Sequence, residues 1–350
     1  MMSGLILNLK WGKKVDFEFC VIDGQTSNDI IEAHPNEIFQ LIQTAYVAHE
    51  VGEAVNPPSY FFRIPEKPNA RIIALPSAIT REDKVVGMKW IGSNPDNVQY
   101  NFPRASATII LNDYETFYPY ACLEGSIISA VRTAYSAVIA ASCIKEKDKK
   151  IKKLGVVGNG LIAKYVYKAF VADGWEINEI SLFDQSRKSS EKWKAYVNEE
   201  SRESVHIATQ LEDLLKQSDM IVLTTSALEP YITDATLFQH NPVVLNISLR
   251  DLAPQILLQS NNIVDDVEHV LQAKTSPDLA YQACGHKDFI NGTIGRFIQH
   301  TIMLSPHKPT IFSPMGMGML DMAVAHFIYK KSKESGREIN IPGFFFDLSR

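Results

Sequence analysis

The chain has 350 residues, enough for two domains at roughly 150 residues each, which excludes a small disulfide-stapled module. Hydrophobic residues make up 45% and charged ones 21%, the composition of a globular rather than a disordered protein. With 35 Lys and Arg against 40 Asp and Glu, the net charge is −5, which argues against a dedicated nucleic-acid binder.

The opening segment, MMSGLILNLKWGKK, places its positive charges after a short apolar run, the reverse of a secretory signal. Cys20, Cys122, Cys143 and Cys284 lie far apart with no C-x-x-C pair. That spacing argues against a disulfide framework, a zinc ribbon or a redox dithiol, and fits a reducing, cytoplasmic setting.

Through residue 125, alternating or β-branched segments at 60–64, 71–75, 85–90 and 106–111 stand between turn signals such as Asn56-Pro57-Pro58 and Asn94-Pro95-Asp96. These imply a mixed α+β domain. Residues 126–144 carry small and apolar side chains at helical spacing, a long buried helix. Arg132 interrupts the run and no 18 consecutive residues are apolar, so no membrane span is expected. The following stretch, 145–153, holds six lysines in nine positions and reads as a solvated linker.

Strands then alternate with helices. Apolar runs at 154–157, 180–183, 205–207, 220–224, 243–247 and 262–264 are separated by helical patterns at 163–172, 189–200, 211–217, 234–238 and 254–259. Such alternation requires parallel pairing and right-handed crossovers, hence an open doubly wound sheet. After about residue 300 the alternation ends. A Gly/Met-rich turn at 313–319 leads into an apolar helix, 320–329, that is expected to return to the first domain, with Asp321 as its cap. The expected organisation is an α+β domain over 1–134, the doubly wound sheet inserted over 135–305, and the return of the first domain over 306–350.

Gly158-Asn159-Gly160-Leu161-Ile162-Ala163 matches G-x-G-x-x-A directly between a strand and a helix. Gly158 makes the turn, Gly160 lets the backbone approach a pyrophosphate, and Ala163 lets helix and strand pack closely. The helix N-terminus offers unpaired N–H groups to the phosphates. Asp184 closes the second strand 21 residues past Ala163, where a carboxylate accepts from the adenosine ribose hydroxyls and repels a 2′-phosphate. NAD is therefore favoured over NADP, although Arg187 and Lys188 stand near. Thr224, Thr225 and Ser226 end the fourth strand where the strand order reverses, and leave room for the cofactor. The fold expected is thus a Rossmann sheet inserted in a discontinuous α+β domain.

Two cations sit in apolar surroundings. Lys89 lies in the strand-like run Gly87-Met88-Lys89-Trp90-Ile91-Gly92, and Arg132 in the small-residue helix. Buried ammonium and guanidinium groups need anionic partners, either a structural carboxylate or that of a substrate.

Gly87-x-Lys89, Leu111-x-Asp113 with Pro119, Arg132-Thr133-Ala134, the Gly158 turn and Ser313-x-x-Gly316-x-x-x-x-Asp321 occur in order over nearly the whole chain. Together they resemble the ornithine cyclodeaminase/mu-crystallin family. The resemblance implies that Lys89 and Arg132 hold a substrate α-carboxylate, and that Asp251 is the general acid/base beside the nicotinamide. It also implies that Ser248 and Gly316 line the cofactor site. Where many relatives have Pro-Pro-Arg this chain has Pro57-Pro58-Ser59, so Arg63 or Arg71 is expected to complete the carboxylate site. The cyclodeaminases carry a glutamate where this chain has Ile73.

The implied activity is NAD-dependent oxidation of an N-substituted amino acid with net release of NADH. The alternatives are cyclodeamination of ornithine with recycled NAD, and a non-catalytic ligand binder of the mu-crystallin type. The resemblance also implies a homodimer through the outer domain. No metal site is expected: the nine histidines include no H-x-x-x-H, and His269, His286 and His326 read as surface or packed residues.

Overall fold

Two eight-stranded sheets meet across one long helix in the computed structural model, which describes residues 18–345 apart from 82, 101, 147 and 201–203. The N-terminal charge pattern lies outside the described residues.

The first sheet is built from β1 (Cys20–Ile22), β2 (Ala54–Val55), β3 (Tyr60–Phe62), β4 (Arg71–Ile79), β5 (Val85–Ser93), β6 (Ala105–Asn112) and β7 (Pro119–Glu124). Its order is Ile339–Asn340, β1, β7, β6, β5, β4, β2, with β3 also paired to β4. All pairs are antiparallel except β1 with β7. Two helices not read from the sequence, α1 (Gly24–Ala33) and α2 (Pro35–Glu50), follow β1. Asp23 starts the first by accepting from the Thr26 N–H at 2.8 Å, and Pro35 opens the second, where a missing N–H costs nothing.

Helix α3 (Ser126–Lys145) packs against both sheets. Its length and composition would suffice to cross a membrane, but Ala134, Ala137, Val138, Ile139, Ala140 and Ala141 are fully covered inside the protein. Small side chains let it approach its neighbours closely on several faces.

The second sheet holds β8 (Lys150–Val157), β9 (Glu176–Phe183), β10 (Ser204–Ile207), β11 (Met220–Leu223), β12 (Val243–Asn246), β13 (Asn261–Val264), β14 (Gly292–Thr293) and β15 (Thr310–Ser313). The order is β10-β9-β8-β11-β12-β15-β13-β14 and every pair is parallel. Helix α4 (Leu161–Ala172) follows β8.

Two details differ from the sequence expectation. The lysine-rich stretch is not wholly a linker, because β8 begins at Lys150: Lys150 and Lys153 face Glu176 at 3.3 Å and Glu179 at 2.6 Å on β9. And β15, within the segment expected to return to the first domain, instead inserts between β12 and β13. The return is made by the tail helix Gly318–Ser335, which lies on β4, β5 and β6.

Candidate active site

Parallel pairing puts the carboxyl ends of all the second sheet's strands along one edge, where doubly wound sheets bind ligands. Gly158 follows β8 with φ +83°, and a Cβ there would stand 2.8 Å from the Thr224 carbonyl group. The Thr224 hydroxyl donates to the Gly158 carbonyl at 2.7 Å and so pins the turn. Asn159 turns its side chain inward, donating to the Val156 carbonyl at 3.2 Å and accepting from Ser190 at 2.7 Å. Gly160 has open space where a side chain would be, and exposed Leu161 and half-buried Ile162 begin α4. Asp184, after β9, accepts from the backbone N–H groups of Asn159 and Ser186, both at 2.7 Å. A bare glycine surface beside a helix N-terminus, with a carboxylate one strand away, fits the diphosphate and ribose of a dinucleotide.

Asp251 is fully buried beyond β12, and its Oδ1 accepts from the Thr225 hydroxyl. Oδ2 is buried and makes no hydrogen bond of good geometry among the described residues. Burial pushes its pKa up, against the Thr225 and Tyr231 hydroxyls that favour the carboxylate. Ser248 lies buried between β12 and Asp251 with an unpartnered Oγ, and Ser226 is exposed.

Lys89 and Arg132 meet on one carboxylate. Lys89 Nζ donates to Asp321 Oδ2 at 2.6 Å, and Arg132 Nε to Oδ1 at 3.3 Å. Ser129 accepts from both, at 3.0 Å from Lys89 and 3.4 Å from Arg132 Nη2. Asp321 is therefore the shared anion of two cations and not the helix cap expected. Met317 occupies the cap position, and Asp321 sits in the first turn of the helix. Lys89 is 2% exposed, and burial lowers its pKa to about 8, with Asp321 opposing and Arg132 assisting the fall. Arg132 lies directly beneath Gly316: a Cβ there would come within 2.7 Å of Nη1. Gly316, at φ +94°, is held in place by its N–H donating to Asp265 Oδ2 at 2.6 Å. Asp265 is itself buried after β13, and desolvation raises its pKa.

The expected residues therefore fall into three groups: the cradle of Gly158, Asn159, Gly160, Asp184 and Thr224; Thr225 with Asp251; and Lys89 with Arg132 under Gly316. Arg63 and Arg71 are not at the Asp321 pair; they lie farther along the first sheet, on β4 and just past β3. Sequence reasoning missed Ser129 and Asp265. Asp265 carried a signal: a carboxylate immediately after an apolar strand, the pattern that singles out Asp184.

This is the architecture of a dinucleotide-binding sheet joined to a substrate lobe. A model of the ornithine cyclodeaminase/mu-crystallin family matches residues 26–336, and the chain belongs to that family. Among its relatives, the N-((2S)-2-amino-2-carboxyethyl)-L-glutamate dehydrogenase of Staphylococcus aureus is 29% identical over 319 residues, covering 88% of this chain and 94% of that protein. The Δ1-pyrroline-2-carboxylate reductase of Thermococcus litoralis, solved with NADH and L-proline, superposes with a TM-score of 0.83 at 19% identity over 92% of this chain and 100% of that one. An archaeal alanine dehydrogenase dimer with bound NAD gives 0.82 at 23% identity over 94% and 100%.

Removing the shared anion strands two cations. Asp321→Asn costs about 3–5 kcal/mol of unfolding free energy at neutral pH. The loss shrinks as pH rises toward 10, because Lys89 is then neutral in the folded chain while the unfolded chain still carries the proton. Denaturant titrations at pH 6.5 and 9.5 measure this; an equal or smaller loss at the lower pH contradicts it.

Proposed function

We propose that this chain is an NAD-dependent oxidoreductase that converts N-(2-amino-2-carboxyethyl)-L-glutamate and water to 2-oxoglutarate and L-2,3-diaminopropionate with release of NADH, within siderophore or peptide-antibiotic biosynthesis. The reading is carried by the buried Asp251 carboxyl beyond β12, in a family whose Staphylococcus relative bears this activity in its name. The coverage of that relative, nearly end to end, supports it.

Gly158, Gly160 and the first turn of α4 would receive the cofactor's diphosphate, and Asp184 its ribose. Bound NAD supplies the hydride acceptor. Two cations on one carboxylate leave a net charge of +1 beneath Gly316, and Arg132 Nη1 makes no hydrogen bond among the described residues. That uncommitted donor fits a substrate α-carboxylate. Asp251, inclined to stay protonated yet able to ionise, takes the proton from the substrate's secondary ammonium, which must be neutral before hydride leaves the glutamyl Cα. It then accepts a proton from the water that adds to the resulting imine carbon, and returns one to the departing amine. Ornithine turnover to proline with no accumulating NADH is the competing outcome.

We place a second copy of the chain on the outer face of the first sheet. The tail helix covers the face that carries Lys89, with Gly318 against Leu75 and Ser77 and Met322 against Gly87. On the opposite face Tyr60 is aligned with Ala74 and Trp90, and Phe62 with Ile72. Tyr60, Phe62 and Trp90 stand 66%, 43% and 42% exposed, an apolar patch suited to a self-complementary interface. The four cysteines are unpaired, in keeping with a reducing cytoplasmic setting.

Three measurements follow. Asp251→Asn keeps NADH affinity within a few-fold and lowers turnover about 100-fold or more; unchanged turnover removes Asp251 from the reaction. The kcat/KM profile falls above pH about 8, as Lys89 in the free protein loses its proton, and Lys89→Arg, whose charge persists, abolishes that alkaline limb; a limb retained in the variant assigns it elsewhere. Trp90→Asp converts the assembly to monomers by light scattering, and an unchanged mass rules out this face.

A further inference from the structure

Three arginines line one end of the first sheet. Arg71 stands opposite Ser93, and Leu75 opposite Lys89, so Arg71 and Lys89 share a sheet face. They are four residues apart along it, about 14 Å of strand. Arg63 comes one step after Phe62, which pairs with Ile72, and so falls opposite Arg71. On the far side Ser93 pairs with Ala105, and the Asn94 N–H donates to the Arg104 carbonyl at 2.8 Å. A fourth arginine, Arg250, arrives from the second sheet one residue before Asp251. Its Nη1 and Nη2 donate to the carbonyls of Leu228 at 3.4 Å and Ala273 at 3.1 Å, which fixes the guanidinium.

Nothing neutralises these charges. The arginine ion pairs among the described residues belong to Arg81, Arg132, Arg187 and Arg337. The Nε atoms of Arg71 and Arg250 are both buried with no hydrogen-bond partner. Burial, and then the charges of Arg63, Arg104 and Arg250, draw the Arg71 pKa down, with no carboxylate opposing. Cations gathered from two lobes at such a cost match a planar, bidentate anion.

We infer that Arg71, with Arg63, Arg104 and Arg250, forms a second carboxylate site that receives a further acidic group of the substrate. This deepens the function proposed above and rests on it for the position of the reacting carbon. The substrate class is then an N-substituted amino acid with at least one carboxylate beyond its α-carboxylate. Amino acids with a single carboxylate reach Arg132 and leave the arginine row unused. Arg250 couples the two requirements, since the backbone that carries it also carries Asp251.

The test compares 2-oxoglutarate with 2-oxopentanoate, which has a methyl group in place of the distal carboxylate. Calorimetric titrations are run with and without saturating NADH, so that failure of dinucleotide binding leaves the anion measurement standing. The wild-type chain binds the diacid about tenfold or more tightly than the monoacid. Arg71→Gln, and Arg104→Gln at an exposed position where folding is not at risk, each weaken the diacid about tenfold more than the monoacid. Equal wild-type affinities, no binding of either, or equal losses in the variants overturn the inference. A diacid preference without turnover of N-(2-amino-2-carboxyethyl)-L-glutamate sinks the reaction and keeps the site; turnover without the preference does the reverse.

Discussion

A single carboxylate organises the molecule. Asp321 accepts from Lys89 on β5 and from Arg132 on α3, while its own backbone belongs to the tail helix. It therefore ties together a strand near residue 90, a helix near 130 and a helix beyond 318, three pieces that no local preference would join. Fully desolvated, it is stable as an anion only because both cations are present, and they are stable as cations only because it is. The arrangement also leaves one positive charge uncompensated at the edge where the second sheet's strands end. Structure and proposed chemistry thus rest on the same three residues.

Much of the second sheet is legible in the sequence because its strands are short apolar runs separated by helical patterns, and because the Gly158 turn can serve few other purposes. Strand boundaries shift where charge misleads. The lysines of β8 resemble a linker until the glutamates of β9 are placed beside them, a pairing that only the parallel register reveals. β15 is illegible for a related reason: four residues, Thr310–Ser313, acquire their place from the gap between β12 and β13, and nothing local records that gap. The first sheet's central strands declare themselves by alternation, whereas α1, α2 and β7 do not, since their apolar residues face partners remote in sequence.

The site is readable residue by residue and less so as an arrangement. Lys89 and Arg132 stand out because charge in an apolar run demands a partner, yet the demand does not identify Asp321, 232 positions from Lys89. Asp251 is visible only through family resemblance; its burial and its bond to Thr225 come from the turn after β11 meeting the loop after β12. Arg63 and Arg71 were sought as substitutes at the α-carboxylate. Strand register carries them elsewhere, into a row with Arg104, and the contribution of Arg250 depends on the two lobes facing each other.

The account stands or falls on whether the spare charge of the Asp321 cluster anchors the substrate. A crystal structure of the protein with NADH and 2-oxoglutarate bound addresses this directly. The expected result is a ligand carboxylate at about 3 Å from an Arg132 Nη beneath Gly316, with the keto carbon turned toward Asp251. A ligand lodged away from Gly316, with Asp251 facing no reacting group, would contradict it.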